Sequence, residues 1–73
     1  MVNENSAVEL RAAIARSRVP AYVVAARARI NPVMLSYLLN ERIPLRPDQA
    51  ERIASAIRDC EADREVEERR KAA

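Results

Sequence analysis

The absence of glycine is the feature that most limits what this chain can fold into. None of its 73 residues is glycine, so the Asn-Gly turns on which tight β-hairpins depend are missing. Alanine, arginine, glutamate and leucine are abundant, and all four favour helices. Only Tyr22 and Tyr37 are aromatic, so the core has to be built from aliphatic side chains. We therefore predict a single small all-α domain with a thin margin of stability.

The first half of the chain contains two helical patterns. Ser6 followed three residues later by Glu9 matches a capping box, which predicts a first helix from residue 7 to about residue 18. Pro20 suits the first turn of a helix, so a second helix is predicted from there to about residue 28. The buried stripes are expected to be Val8, Ala12, Ala15 and Val19, with Leu10 and Ile14 beside them, in the first helix and Val24, Ala25 and Ala28 in the second.

Two further helices are predicted in the second half. Asn31 followed by Pro32 matches an N-cap and a first helical position, and this third helix has to stop before Pro44. Pro47 and Asp48 are typical of the start of a fourth helix. The side chains expected in the core are Leu35, Leu38 and Leu39 from the third helix and Ala50, Ile53, Ala54 and Ile57 from the fourth.

Charge is distributed unevenly along the chain. Residues 1–58 carry nine arginines and five acidic residues, a net charge of +4, whereas residues 59–73 carry four basic and six acidic residues, a net charge of −2. We therefore divide the chain into a globular domain, residues 1–58, and a charged C-terminal extension, residues 59–73, which either continues the fourth helix or frays. The basic excess of the globular part is compatible with a polyanionic partner.

The composition argues against several classes of protein. The chain has no histidine and one cysteine, Cys60, so it lacks a zinc-finger ligand set and an intrachain disulfide. It offers neither a histidine base nor a pair of carboxylates in a cleft, so we expect no enzyme activity, no cofactor and no small-molecule ligand. We also expect a cytoplasmic location and no membrane partner, since neither a membrane-spanning run nor a signal peptide is evident.

Residues 21–40 form the most informative unit. Two short predicted helices are separated by two or three residues, and apolar side chains occupy the positions that such a tight corner requires: Val24, Ala25, Ala28, Ile30, Leu35 and Leu38. Together with the flanking helices, residues 10–57 resemble the phage repressor and Cro-type proteins, the lambda-repressor-like or XRE family. The resemblance implies a compact bundle of four or five helices containing a helix-turn-helix, which binds double-stranded DNA as a dimer.

The resemblance also implies the site residues. Residues 31–40 correspond to the helix that lies in the major groove of DNA. The residues at base-facing positions are Pro32, Val33, Ser36 and Tyr37, and those at positions of usual phosphate contact are Asn31 and Asn40. Two departures from the family are Arg29, where a glycine is usual at the corner, and Ala21, where a glutamine often binds phosphate. We therefore assign phosphate binding to Arg27, Arg29 and Arg42.

The predicted function is a sequence-specific transcriptional regulator that binds its operator as a homodimer. The base-facing residues lack the side chains that read adenine or guanine bidentately, so DNA shape is expected to contribute to specificity. A protein-interaction module on the same scaffold, such as an antitoxin or a co-regulator, remains the alternative. The dimer interface is expected around Ile57, Cys60 and Val66, which would otherwise be isolated among charged residues.

Overall fold

A computed structural model of the protein describes residues 6–72. Within that range the chain forms four α-helices and no strand: α1 (Ala7–Ser17), α2 (Ala21–Ala28), α3 (Pro32–Leu39) and α4 (Pro47–Ala72). The predicted all-α class is therefore confirmed. No helix in the described part of the chain is both long enough and apolar enough to cross a membrane.

The predicted caps determine where α1 and α3 begin. The Oγ of Ser6 accepts a hydrogen bond from the N–H of Glu9 at 3.2 Å. The Oδ1 of Asn31 accepts from the N–H of Val33 at 2.8 Å, with Pro32 in the first helical position. Each cap satisfies a backbone donor that has no partner within its own helix. Pro20, which was expected inside the first turn of α2, lies one residue before that helix.

Each of the first three helices is followed, within two residues of its end, by a residue in the left-handed backbone region. Arg18, Arg29 and Glu41 follow α1, α2 and α3 with φ of 59°, 59° and 58°. This conformation costs an L-residue with a Cβ roughly 1–2 kcal/mol, and glycine avoids that cost. Arg29, where the resemblance places a glycine, is thus one of three residues that carry this strain.

The core combines side chains from all four helices. Its buried members are Leu10, Ile14, Val24, Ala25, Ala28, Leu35, Leu38, Leu39, Ala50, Ile53, Ala56 and Ile57. The predicted stripes of α2 and α3 are confirmed. In α4 the prediction included Ala54, which is only half-buried, and missed Ala56.

The predicted buried stripe of α1 is wrong in part. Val8 is 62 % exposed, and Ala12 and Ala15 are also exposed. The buried positions include Leu10 and Ile14, together with Ala7 and Ser17. Both sets of positions have helical spacing, so the pattern alone allows either face. Burying the leucine and the isoleucine removes more apolar surface from water, and this decides the rotation of α1.

The C-terminal extension continues α4 without interruption. The boundary drawn after Arg58 falls in the middle of this 26-residue helix. Cys60 is 6 % exposed and Arg64 is half-buried, so the turns that follow Arg58 still pack on the bundle. Residues 65–71 are exposed, and the ion pair of Arg64 with Glu68, four residues later, supports the helix there.

Candidate nucleic-acid interface

The candidate site is the outer surface of α3. Three residues, 29–31, connect α2 to α3, and the two helices pack against each other. Leu35, Leu38 and Leu39 face the core, with at most 8 % of each exposed. The opposite side of the helix is therefore left at the protein surface. Its exposed residues are Pro32, Val33, Met34, Ser36 and Tyr37.

This surface is uncharged and largely apolar. No residue of α3 carries a charge, and Val33, Met34 and Tyr37 are 58 %, 41 % and 45 % exposed. The hydroxyls of Ser36 and Tyr37 provide its side-chain hydrogen-bonding groups. Such a surface offers apolar contacts and single hydrogen bonds rather than bidentate ones.

Met34 belongs to this surface, although it was missing from the predicted site. On a helix whose leucines at 35, 38 and 39 face inward, position 34 lies at the border between the buried and exposed sides. The spacing of the apolar residues does not determine whether a residue at this border is buried or exposed. Its 41 % exposure follows from how α3 sits on α1 and α2.

The two asparagines at the ends of α3 are engaged within the helix. The side-chain oxygen of Asn31 accepts from the Val33 backbone, as the N-cap requires. The Nδ2 of Asn40 donates to the backbone oxygen of Ser36 at 2.8 Å and lies 3.3 Å from the Ser36 Oγ. Both amides therefore fix the helix ends, and both residues remain exposed.

The three arginines assigned to phosphate binding are separated by the fold. Arg29 is exposed in the connection before α3, and Arg42 is exposed just after α3, with its N–H donating to the Tyr37 carbonyl at 2.9 Å. Arg27 instead forms an ion pair with Asp63 of α4. The carboxylate of Asp63 raises the pKa of the Arg27 guanidinium above its ordinary value. Arg29 and Arg42 thus flank the outer surface of α3, whereas Arg27 contacts α4.

Arg11 and Tyr22 lie beside α3 and were not predicted as site residues. They line a depression of about 220 Å³ whose other walls include Pro32, Ser36 and Asn40. Tyr22 is 66 % exposed, and none of the ion pairs found in residues 6–72 includes Arg11. The spacing of residues along α1 contains no signal for the element that Arg11 adjoins.

Comparisons with protein-family models, with curated proteins and with solved structures find no match for this chain. Function is therefore inferred from the geometry of α2, α3 and the flanking arginines alone. The resemblance described from the sequence remains a hypothesis about these elements.

The predicted position of the dimer interface needs correction. Ile57 and Cys60 are only 4 % and 6 % exposed within a single chain. They pack into the core instead of being isolated among the charges of α4, so they are not available to a second copy. Val66, which is 50 % exposed, is the one residue of the three that remains at the surface.

Proposed function

We propose that this protein is a non-enzymatic transcriptional regulator of phage repressor or Cro type that binds double-stranded DNA with α3 in the major groove. The observation that carries the proposal is the division of α3 into two sides. Three leucines anchor one side to the bundle, and the other side is exposed on a helix held by a three-residue connection. The major groove admits one α-helix presented in this way.

Sequence recognition is assigned to the exposed side chains of α3. Val33 contacts a thymine methyl group, and Met34 extends the apolar contact at the border of the helix. Ser36 and Tyr37 form single hydrogen bonds with bases or phosphates. Because bidentate readers are missing from this surface, part of the specificity comes from the shape of the DNA.

Phosphate binding is assigned to Arg29 and Arg42, which flank α3, and to Arg11 across the depression beside Ser36. Their positions would place positive charge on both sides of a helix lying in the groove. Arg27 is left out of this set because Asp63 already neutralises it. Asn31 and Asn40 contribute by fixing the ends of α3, and each retains free polar atoms for a phosphate.

We further propose that the protein binds its operator as a homodimer. A single helix with few base-reading groups discriminates weakly, since each good contact contributes about 1–3 kcal/mol. Two copies related by a two-fold axis would double the contacts and read half-sites about 34 Å apart. Ile57 and Cys60 are excluded from this interface by their burial.

The test begins with selection of a preferred duplex from a random library, followed by titrations at several salt concentrations. We expect the logarithm of the binding constant to fall linearly with the logarithm of salt concentration. Val33→Ala and Tyr37→Ala should each weaken binding to the selected duplex by about tenfold. Val8→Ala is the matched control, because it removes the same atoms as Val33→Ala from a similarly exposed site on α1. Normal affinity of both α3 variants would exclude α3 as the reading helix.

A specific observation also favours the alternative, a protein-interaction module. Three of the six large hydrophobic residues exposed in the described chain lie on the eight-residue α3: Val33, Met34 and Tyr37. Clustered exposed apolar surface is typical of protein interfaces. Retention on duplex DNA discriminates between the two functions, since an antitoxin or co-regulator that binds protein alone shows no salt-sensitive retention.

A further inference from the structure

We propose that Arg52 of α4 is a positioning residue for the DNA interface. It holds the connection between α2 and α3 in the shape that presents α3 to the groove. This inference rests on the proposed function, but the hold on the connection is a separate physical claim that can be measured without DNA.

The contacts of Arg52 are made with the end of α2. Its Nη2 donates to the backbone oxygen of Ala28 at 2.8 Å and to that of Arg29 at 3.0 Å. One guanidinium thus joins the last residue of α2 to the left-handed residue that follows it. A positive charge at this place also interacts favourably with the C-terminal end of the helix dipole.

These two carbonyls complete the hydrogen bonding of the corner. The N–H of Arg29 donates to Ala26 at 3.2 Å, and the N–H of Ile30 donates to Ala25 at 2.9 Å. These turn bonds use the carbonyls of residues 25 and 26. Arg52 supplies a donor for the carbonyls of residues 28 and 29, which these two turn bonds do not use. A strained left-handed arginine is therefore held from both its N–H and its carbonyl.

The packing of α3 explains why this hold affects the interface. α3 and α4 each pack mainly on α1 and α2. The position of α3 relative to α4 is therefore set through α1, through α2 and through the three residues that connect α2 to α3. Arg52 is anchored next to Ile53, which is fully buried, so it links a fixed part of α4 directly to that connection.

The experiment compares Arg52→Ala and Arg52→Lys with Arg58→Ala. Arg58 is an exposed arginine of the same helix, and none of the hydrogen bonds or ion pairs found in residues 6–72 involves its side chain. Amide hydrogen exchange is measured at Arg29 and Ile30. Affinity is measured for the selected duplex and for a random duplex across salt concentrations, at a temperature where circular dichroism shows every variant folded.

Arg52→Ala should speed exchange at Arg29 and Ile30 and weaken binding to the selected duplex about tenfold, with little effect on the random duplex. The slope of binding against salt should stay unchanged, because Arg52 does not touch phosphate. Arg52→Lys should restore part of both properties, since an ammonium can still donate to a carbonyl. Arg58→Ala should match the parent in exchange and in the ratio of the two affinities.

Two results would overturn the inference. Parental exchange and parental discrimination in Arg52→Ala would show that the connection holds its shape without this residue. A salt slope lower by about one unit would show that Arg52 contacts phosphate instead. Failure of the parent protein to bind any duplex would refute the DNA role of Arg52 together with the proposed function, and the exchange data would still show whether Arg52 holds the connection.

Discussion

At the scale of single residues, three positions with a left-handed backbone are occupied by residues other than glycine. Arg18, Arg29 and Glu41 take up a backbone shape that glycine adopts more easily. Two of these residues follow helices whose last carbonyls are bonded by arginines of α4: Arg52 at Ala28 and Arg64 at Ser17. The chain thus closes its turns with external hydrogen bonds where other chains use glycine.

Glu41 offers a test of this strain, because no ion pair or side-chain hydrogen bond involves it among the described residues. Glu41→Gly should raise the free energy of unfolding by about 0.5–1 kcal/mol, since relief of the left-handed strain exceeds the added entropy of the unfolded chain. Glu51→Gly is the matched control in the exposed interior of α4 and should lower it by about 1 kcal/mol. Urea denaturation measures both, and a destabilised Glu41→Gly variant would contradict the strain.

The ion pair between Arg46 and Asp48 at the start of α4 predicts that the stability of the fold depends on pH. The hydrogen bond from the Arg46 side chain lowers the pKa of Asp48 below its ordinary value of 3.8. Because the folded pKa is the lower one, Asp48 stabilises the fold above the unfolded value, and this contribution disappears as pH falls through the folded value. Arg46→Ala should therefore raise the Asp48 pKa and destabilise the protein at neutral pH more than at pH 2. Carboxyl titration by NMR checks this, and an unchanged Asp48 titration would show that Arg46 does not act on it.

At the scale of elements, the arginines differ in the contacts that they make in the helical bundle. Arg27 pairs with α4, and Arg52 holds the end of α2. Arg29 and Arg42, which precede and follow α3, take part in none of the ion pairs found in residues 6–72. Arg11 comes close to α3 because α1 packs against it. Net charge therefore overstates the positive surface that is available to the proposed DNA partner.

This division predicts different salt dependences. Arg11→Ala and Arg42→Ala should each weaken binding to selected and random DNA alike, and each should reduce the magnitude of the salt slope by about one unit, because one phosphate contact is lost. Arg27→Ala should leave the slope unchanged, since its guanidinium is occupied by Asp63. A reduced slope for Arg27→Ala would mean that the ion pair opens on DNA and that the original assignment of Arg27 was right.

At the scale of the whole molecule, α4 is the element that joins the parts of the bundle. It packs on α1 and α2 and contributes Ile53, Ile57 and Cys60 to the interior. Cutting the chain at the predicted domain boundary after Arg58 would therefore remove part of the packed interior. The final turns beyond residue 64 are exposed and contribute little burial.

Two truncations separate these regions. Ending the chain after Arg58 should lower the free energy of unfolding by about 2 kcal/mol or more, because it removes buried Cys60 and the bond from Arg64 to Ser17. Ending it after Glu65 should cost less than about 1 kcal/mol, because the ion pair lost there, Arg64 with Glu68, is exposed. Thermal unfolding measures stability, and equal losses would contradict the packing of residues 60–64. Sedimentation of the longer form shows whether the exposed end of α4, with Val66, is needed for a dimer.

The sequence alone was sufficient for the features that depend on neighbours along the chain. Ser6, Asn31 and Pro32 mark helix starts because their hydrogen bonds or fixed dihedrals act within one turn. The buried sides of α2 and α3 also follow from local spacing, since each helix has one clear apolar stripe. The exposed Val33, Ser36 and Tyr37 follow from the same spacing as the side opposite the leucines.

Only the tertiary structure decided which residues meet across the bundle. α1 has two possible apolar sides, and packing against α3 and α4 selected the one that contains Leu10 and Ile14. The pairing of Arg27 with Asp63 joins residues 36 positions apart, and the hold of Arg52 on α2 spans 24. Long side chains leave no periodic signal, because their contacts depend on how rigid helices are stacked rather than on the spacing within any one of them.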